Sequence, residues 1–365
     1  MAYTISVLAT LPVIMAVLLY QLDTFAPAQY PDHELTPKQP LFVPKRNTHM
    51  LHGSEKIGAG ELLGPEDVAY DPITGIIYTG TTDGWINRVT VNESAAESKV
   101  ERWVNTGGRP LGLVHGHHGE VIIADAVKGL LNVTRDGTME LLTDEADGLK
   151  FKVTDAVDIT LDGILYFTDA SSKYALHEFL FDFLEGRPHG RFMSYDPSTK
   201  QTKVLLRDLY FPNGVVISPD QHFVIFCETP MRMCKRYYIK GEKRGSVDTF
   251  IENLPGLPDN IRYDGEGRYW IALPTGNIYF WTLTQRYAFI RKAMAIVAKY
   301  MGEPPRFQKN GGIFAVDFDG KPIAHYYDHD LYQITSGTKI GEHLYCGSIQ
   351  FPYITRLNIS QYPAT

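Results

Sequence analysis

The sequence predicts an all-β fold, a six-bladed β-propeller with two helical insertions capping one face and a hydrophobic segment at its N-terminus. Three observations carry this. A unit made of an apolar strand, a D-G or D-x-x-G turn and an aromatic-rich strand ending in a small residue recurs at residues 69–90, 115–134, 158–174, 216–239, 262–283 and 339–357. Its copies lie roughly 40–60 residues apart, the length of one four-stranded blade. No long helices alternate with strands, which disfavours Rossmann and TIM-barrel arrangements.

Residues 3–20 form an apolar run of 18 residues without a charge. That is long enough for a signal-peptide core or a short membrane span. The run lacks the usual preceding Lys or Arg, and Ala26-Pro27-Ala28 is a cleavage-like site interrupted by proline. Residues 1–22 are therefore read as a signal peptide or a signal anchor. Residues 23–50 are Pro-rich and aperiodic, a linker or a wrapping arm. Residues 51–365 are the propeller. The expected destination is the secretory pathway, with vacuole or endoplasmic reticulum as endpoints and membrane anchoring as the alternative to cleavage. Sequons at Asn92, Asn132 and Asn358 agree with that route.

Each copy has the cadence of two strands joined by a tight turn. Residues 174–188 and 283–301 break the rhythm with apolar residues at helical spacing. Phe179, Phe183 and Leu184 mark one apolar face, and Phe289, Ile290, Met294 and Val297 the other. These helices either cap the propeller or form a lid over an apolar pocket. Arg286, Arg291, Lys292 and Lys299 make residues 283–301, like the N-terminal segment, a candidate membrane contact. The net charge of −7 argues against nucleic acid, because no basic stripe could neutralise phosphates. Cys227, Cys234 and Cys346 cannot all pair within the chain. Cys227 and Cys234 either bridge a hairpin or remain two core thiols. The oligomeric state is not legible.

Four segments set an oxygen-bearing side chain at the entrance of an innermost strand: GPEDVAYDPITG, VTDAVDITLDG, FPNGVVISPD and PDNIRYDGEG. A toroid of repeated sheets would aim such side chains at one axial point.

The motifs GRPLGL, ADAVKGL, LYFTDASSKY, LEGRPHGRFMSYDP, FPNGVVISPD, LPGLPDNIRYDGEGRYWIAL and HLYCGSIQFPYITRL run in order from about residue 40 to the C-terminus. Together they resemble the strictosidine synthase-like proteins of plants and the animal adipocyte plasma membrane-associated protein. More distantly they resemble paraoxonases and gluconolactonases. The resemblance implies a six-bladed propeller and, from the hydrolases, an axial Ca²⁺ held by Glu66, Asp155, Asn213, Asp259 and Asn260. Five such oxygens suit a hard cation that takes six to eight. Relatives commonly carry Asn where this chain has Asp155, and the added carboxylate should tighten cation binding.

Two catalytic features of the relatives are missing. The glutamate essential to strictosidine synthesis falls at Ser336, which cannot serve as a base near neutral pH, and Glu342 lies six residues out of register. The histidine pair of the paraoxonases falls at Leu111 and near Asp125. His115, His117 and His118 are read as a hairpin turn in an exposed edge of the second blade. Water activation would then fall to Asp259 or Asp155. The expected function is metal-dependent hydrolysis of a small apolar ester or lactone. The alternatives are a condensation or rearrangement enzyme, and a glycosylated binding protein with a structural ion.

Overall fold

The computed structural model describes residues 15, 17–35, 39–276, 278–302 and 309–365. Most of the apolar run 3–20 lies outside the described residues. Among the described residues no helix is long and apolar enough to cross a membrane.

Six antiparallel sheets follow one another along the chain, each opening on its innermost strand. These inner strands are Ala69–Asp71, Pro110–His115, Thr154–Ile159, Pro212–Ile217, Ile261–Tyr263 and Ile334–Ile340. They open blades 1 to 6, and the six repeats expected from sequence fall one in each blade. The ring closes by exchange: Ser54–Ile57 supplies the outer strand of blade 6, antiparallel to Ile354–Asn358. Lys45–Asn47 adds a parallel strand to the outer edge of blade 5. Closure of this kind lets each four-stranded sheet bury both faces against its neighbours, which no blade could do alone.

Blades 2, 3 and 4 share a device that fixes where the inner strand begins. Their second strands end in Asp125, Asp169 and Glu228. Each carboxylate accepts a backbone N–H just ahead of its blade's inner strand: Arg109 at 3.0 Å, Val153 at 3.0 Å and Tyr210 at 2.7 Å. Asp125 also accepts from Val127, Lys128 and the Thr106 hydroxyl. It is a saturated structural cap, not a member of a catalytic pair.

Two glycines allow adjacent inner strands to approach at the axis. A Cβ on Gly112 would lie 2.6 Å from the Asp155 carbonyl oxygen, and one on Gly214 would lie 2.5 Å from that of Asp259. The glycine of Pro-Asn-Gly is thus required by the neighbouring blade rather than by its own turn.

Helices among the described residues include α1 (Asp32–Leu35), α2 (Phe179–Glu185), α3 (Ile278–Arg286) and α4 (Ala288–Met301). The expected insertion at 283–301 begins earlier: residues 278–283, which fall within the fifth repeat, belong to α3. Its Trp281 and Gln285 sit one turn apart and both donate to the Pro230 carbonyl, at 3.0 and 2.7 Å. That contact explains why an aromatic-rich segment is helical here.

The buried face of α4 also differs from expectation. Phe289 is 61% exposed, whereas Arg291 is 0% exposed. The Arg291 guanidinium donates to the carbonyls of Leu184 and Glu185, at 3.3 Å each, and of Ala28 at 2.5 Å. The orphan carbonyls at the end of α2 require donors, and Arg291 supplies them while lying over the Tyr30 ring. Lys292 and Lys299, candidates for membrane contact, bind the Asp23 carbonyl and carboxylate, at 3.0 and 2.9 Å. The arm is thereby stapled to the helical cap.

Cys227 and Cys234 face each other across the second and third strands of blade 4 and form a disulfide. Cys346 is a buried free thiol.

Candidate metal centre

The inner strands of blades 2, 3, 4 and 6 share a register shift just inside their start, between Pro110 and Leu113, Thr154 and Val157, Pro212 and Val215, and Ile334 and Ser336. Such bulges re-aim side chains. Here they turn the second residue of each strand toward one cleft: Leu111, Asp155, Asn213 and Thr335. Blade 1 contributes Glu66 from the loop before its inner strand, and blade 5 contributes Asp259. Every blade therefore places one side chain at the floor. Asn260 lies behind it, fully buried, and donates through Nδ2 to Glu66 Oε1 at 2.8 Å.

The orientation of the amides decides what the floor can bind. Asn260 spends its N–H on Glu66, and Asn213 hydrogen-bonds Asp259, holding that carboxyl's affinity for protons down. Four buried oxygens remain without a partner: Glu66 Oε2, Asn213 Oδ1, Asp259 Oδ1 and Asn260 Oδ1. All are acceptors, and buried polar atoms normally find partners. A set of orphaned acceptors with no competing donor fits a hard cation, and mixed carboxylate and amide oxygens fit Ca²⁺. Among the described residues no three His, Cys, Asp or Glu side chains have metal-binding spacing by themselves. A site here therefore depends on the two asparagines.

The electrostatics agree. Burial, then Asp259, Asp67 and Asp155, push the Glu66 carboxyl well above its ordinary range. Burial and then Asp155 do the same to Asp259. Burial, then Asp67 and Asp169, push Asp155 up to about 8. Buried Arg109 opposes part of this, while its Nη1 and Nη2 donate to carbonyls, that of Gly64 at 3.0 Å among them. Three carboxyls that repel one another in a desolvated ring gain from a divalent cation.

Above the floor the walls are apolar. Leu176, Phe179, Phe183, Phe211, Leu257 and Ile349 line an open cleft. Phe183 meets Phe211 edge-on at 4.8 Å between centroids, and Trp281 backs Phe183 at 5.9 Å. Two lining residues, Phe211 (φ +45°) and Gln333 (φ +53°), hold left-handed backbone. Such strain in bulky residues concentrates at functional sites. The lining, apolar walls over a few convergent polar groups, is that of a small-molecule site.

All five expected metal ligands converge here. Other expectations fare differently. Ser336 is fully buried and accepts the Gly347 N–H at 3.1 Å. Thr335 faces the cleft in its place and donates to the Glu66 carbonyl at 2.6 Å. Glu342 sits in a remote turn and binds Ser360. The HGHHG turn joins the two innermost strands of blade 2, not an outer edge. His115 lies four residues along the strand from Leu111, about 13 Å, and pairs with Asp71 at 3.5 Å. His117 bonds the Thr160 carbonyl. Asn92 lies on an exposed loop, and Asn358 is half-buried with its Oδ1 capping Ser360 and Gln361. Asn132 stands within a strand with its amide oxygen buried. Thr335 was missed at the sequence level, although it is the second residue of its strand, like Leu111, Asp155 and Asn213.

Comparison with known proteins matches the strictosidine synthase family over residues 155–242 and the strictosidine synthase-like N-terminal family over 45–89. Strictosidine synthase-like 6 of Arabidopsis thaliana is 56% identical, over 97% of this chain and 94% of its own. The rat adipocyte plasma membrane-associated protein is 34% identical, over 88% and 91%. Among solved structures, a Xanthomonas campestris gluconolactonase superposes with a TM-score of 0.59 at 15% identity, covering 88% of this chain and 97% of its own. The calcium-binding regucalcin of Agrobacterium tumefaciens gives 0.56 at 17%, covering 81% and 90%. At such identities the last two speak to fold alone. Sequence identity along nearly the whole chain places this protein in the strictosidine synthase-like family.

Proposed function

We propose that this protein is a calcium-dependent hydrolase of small apolar lactones or esters, acting in the secretory pathway. The observation that carries the reading is the group of four unpartnered buried oxygens at the floor of an apolar cleft. Glu66, Asp155, Asn213, Asp259 and Asn260 would hold the ion, which when bound polarises a carbonyl and steadies a developing oxyanion. The gluconolactonase and calcium-binding character of the two propellers named above is compatible with this.

The chain's own contribution is positional. Phe183, Phe211 and Leu257 hold the apolar body of the substrate and exclude bulk water. Asp259, which lines the cleft, would accept the proton of an attacking water, with Asp155 as the other candidate. The new C–O bond to water forms as the ring or ester C–O bond breaks, and the proton passes to the departing alkoxide oxygen. Condensation of an amine with an aldehyde is disfavoured, because blade 6 presents Thr335 and Ser336 where a carboxyl is needed.

A second reading, a binding protein with a structural ion, draws on Leu111, which leaves blade 2 without an acid–base group at the floor. Calcium titration against aryl esters and lactones, with Asn213→Ala and Asp259→Ala alongside wild type, separates the two. Calcium-dependent turnover lost in both variants supports the hydrolase. Calcium that only raises the melting temperature, with no turnover, supports the binding protein.

A further inference from the structure

Three threonines line the cleft, and two have committed their hydroxyl protons. Thr335 donates to the Glu66 carbonyl at 2.6 Å and Thr275 to the Lys309 carbonyl at 3.1 Å. Thr229 has not. It opens the short turn Thr229–Met231 that follows the second strand of blade 4. Its backbone N–H goes to the Phe211 carbonyl and its carbonyl accepts from Arg232. The residue is 5% exposed, and its Oγ1 has no hydrogen-bond partner.

A buried hydroxyl without a partner is costly, and a valine of the same shape would avoid that cost. Its character also differs from that of the floor. The four orphaned oxygens there can only accept, whereas a hydroxyl both donates and accepts. A metal ion satisfies acceptors but leaves a hydroxyl's proton without a partner. Phe211, whose carbonyl accepts the Thr229 N–H, and Leu257 also line the cleft, so a ligand group reaching Thr229 would do so from an apolar body.

We propose that Thr229 Oγ1 is a specificity-determining contact for the ligand, separate from the metal centre. The preferred ligand would then be an apolar carbonyl compound with a hydroxyl group remote from the carbonyl. The inference rests on reading the cleft as the substrate site, but not on hydrolysis taking place there.

The test uses δ-lactams, which resist hydrolysis, bearing an alkyl chain either plain or hydroxylated at successive carbons. Binding to the full chain is measured by titration calorimetry in calcium buffer. At one chain position wild type should bind the hydroxylated lactam about tenfold more tightly than the plain one. Thr229→Val should erase that preference, leave the plain lactam within twofold and not lower the melting temperature. Thr229→Ser should restore the preference. A wild type with no preference at any position overturns the proposal, as does a Thr229→Val protein that keeps it. Equal loss of affinity for both forms would also overturn it, since that is the mark of a packing role. The corresponding lactones report separately: if none is turned over while the lactam preference holds, the hydrolase reading falls and this one stands.

Discussion

Glu66 and Asp67 are neighbours in sequence, both are buried near the propeller axis, and their electrostatic settings are opposite. The Asp67 carboxylate is saturated: it accepts the Val68 N–H at 2.8 Å and the Leu113 N–H at 3.0 Å, and it pairs with Arg262. Arg262 reaches it from blade 5 and also donates to the carbonyls of Leu113 and Val215. Asp158 completes this layer through the Ile217 N–H at 2.7 Å. The Glu66 layer holds three carboxyls and two amides and keeps four oxygens unpaired. One layer carries its cation as an arginine side chain. The other leaves its four free oxygens without a side-chain donor, and on the proposed reading its cation comes from outside. A propeller axis can thus be closed by a fixed charge at one depth and left with unpaired acceptors at the next, through two adjacent residues of one chain.

Removing the fixed cation should have the largest effect. Arg262→Met leaves the Asp67 carboxylate buried with backbone donors only, and losing one partner of such a pair costs about 3–5 kcal/mol. Urea denaturation should register that loss. The double variant Arg262→Met, Asp67→Asn should recover most of it, because the penalty lies in the stranded charge and not in the absent bridge. A double variant as unstable as the single would mean that Arg262 acts through its carbonyl contacts, and the contrast drawn between the two layers would fail.

On the proposed reading, the Glu66 layer should respond to calcium where the arginine layer does not. Calcium at a hundredfold excess over its dissociation constant should stabilise the wild type by about 2.7 kcal/mol. In Asp259→Ala or Asn213→Ala that stabilisation should largely vanish, while stability without calcium changes little or rises as repulsion is relieved. Asp155→Asn removes one of the three carboxyls and should weaken calcium about tenfold without abolishing its binding. Calorimetric titration of the four proteins gives the ranking. If Asp155→Asn binds as tightly as wild type, Asp155 is not a ligand and the ring has four members.

These two layers were not equally legible in the sequence. The convergence of Glu66, Asp155, Asn213, Asp259 and Asn260 could be read because each stands at or just before the start of an apolar strand in a segment with a recognisable turn, so a local pattern carried the information. The arginine layer joins residues 195 apart, and nothing near Arg262 or Asp67 signals the other. Blades were legible for the same local reason. The failures came where tertiary contacts override local preference. IYFWTL (278–283) has the composition of a strand but is helical against Pro230, and Arg291 looks like a surface charge but caps α2. Thr335 was passed over because the bulge in blade 6 shifts the facing residue by one, and one residue in a strand exchanges its two faces.

The helical cap holds a further buried acid, whose replacement should have a smaller effect. Asp182 on α2 is buried and accepts the Ser171 hydroxyl at 2.6 Å. Burial first, and then Glu185, push its carboxyl from 3.8 up to about 7, with Ser171 and Lys173 opposing. Like the floor and unlike Asp67, it is a buried acid without a dedicated cation. A carboxyl whose folded pKa is raised favours the folded state below the unfolded value, and that contribution is lost as pH rises through about 7. Above that pH the fold must carry the ionised group. Asp182→Asn keeps an acceptor for Ser171 and removes the charge. It should therefore be more stable than wild type at pH 8, by on the order of 1–2 kcal/mol, and nearly equal to it at pH 4. Melting curves at the two pH values, in calcium-free buffer, give the difference directly. An Asp182→Asn variant no more stable than wild type at pH 8 would place the Asp182 charge under the control of Lys173, and the cap would then resemble the arginine layer rather than the Glu66 layer.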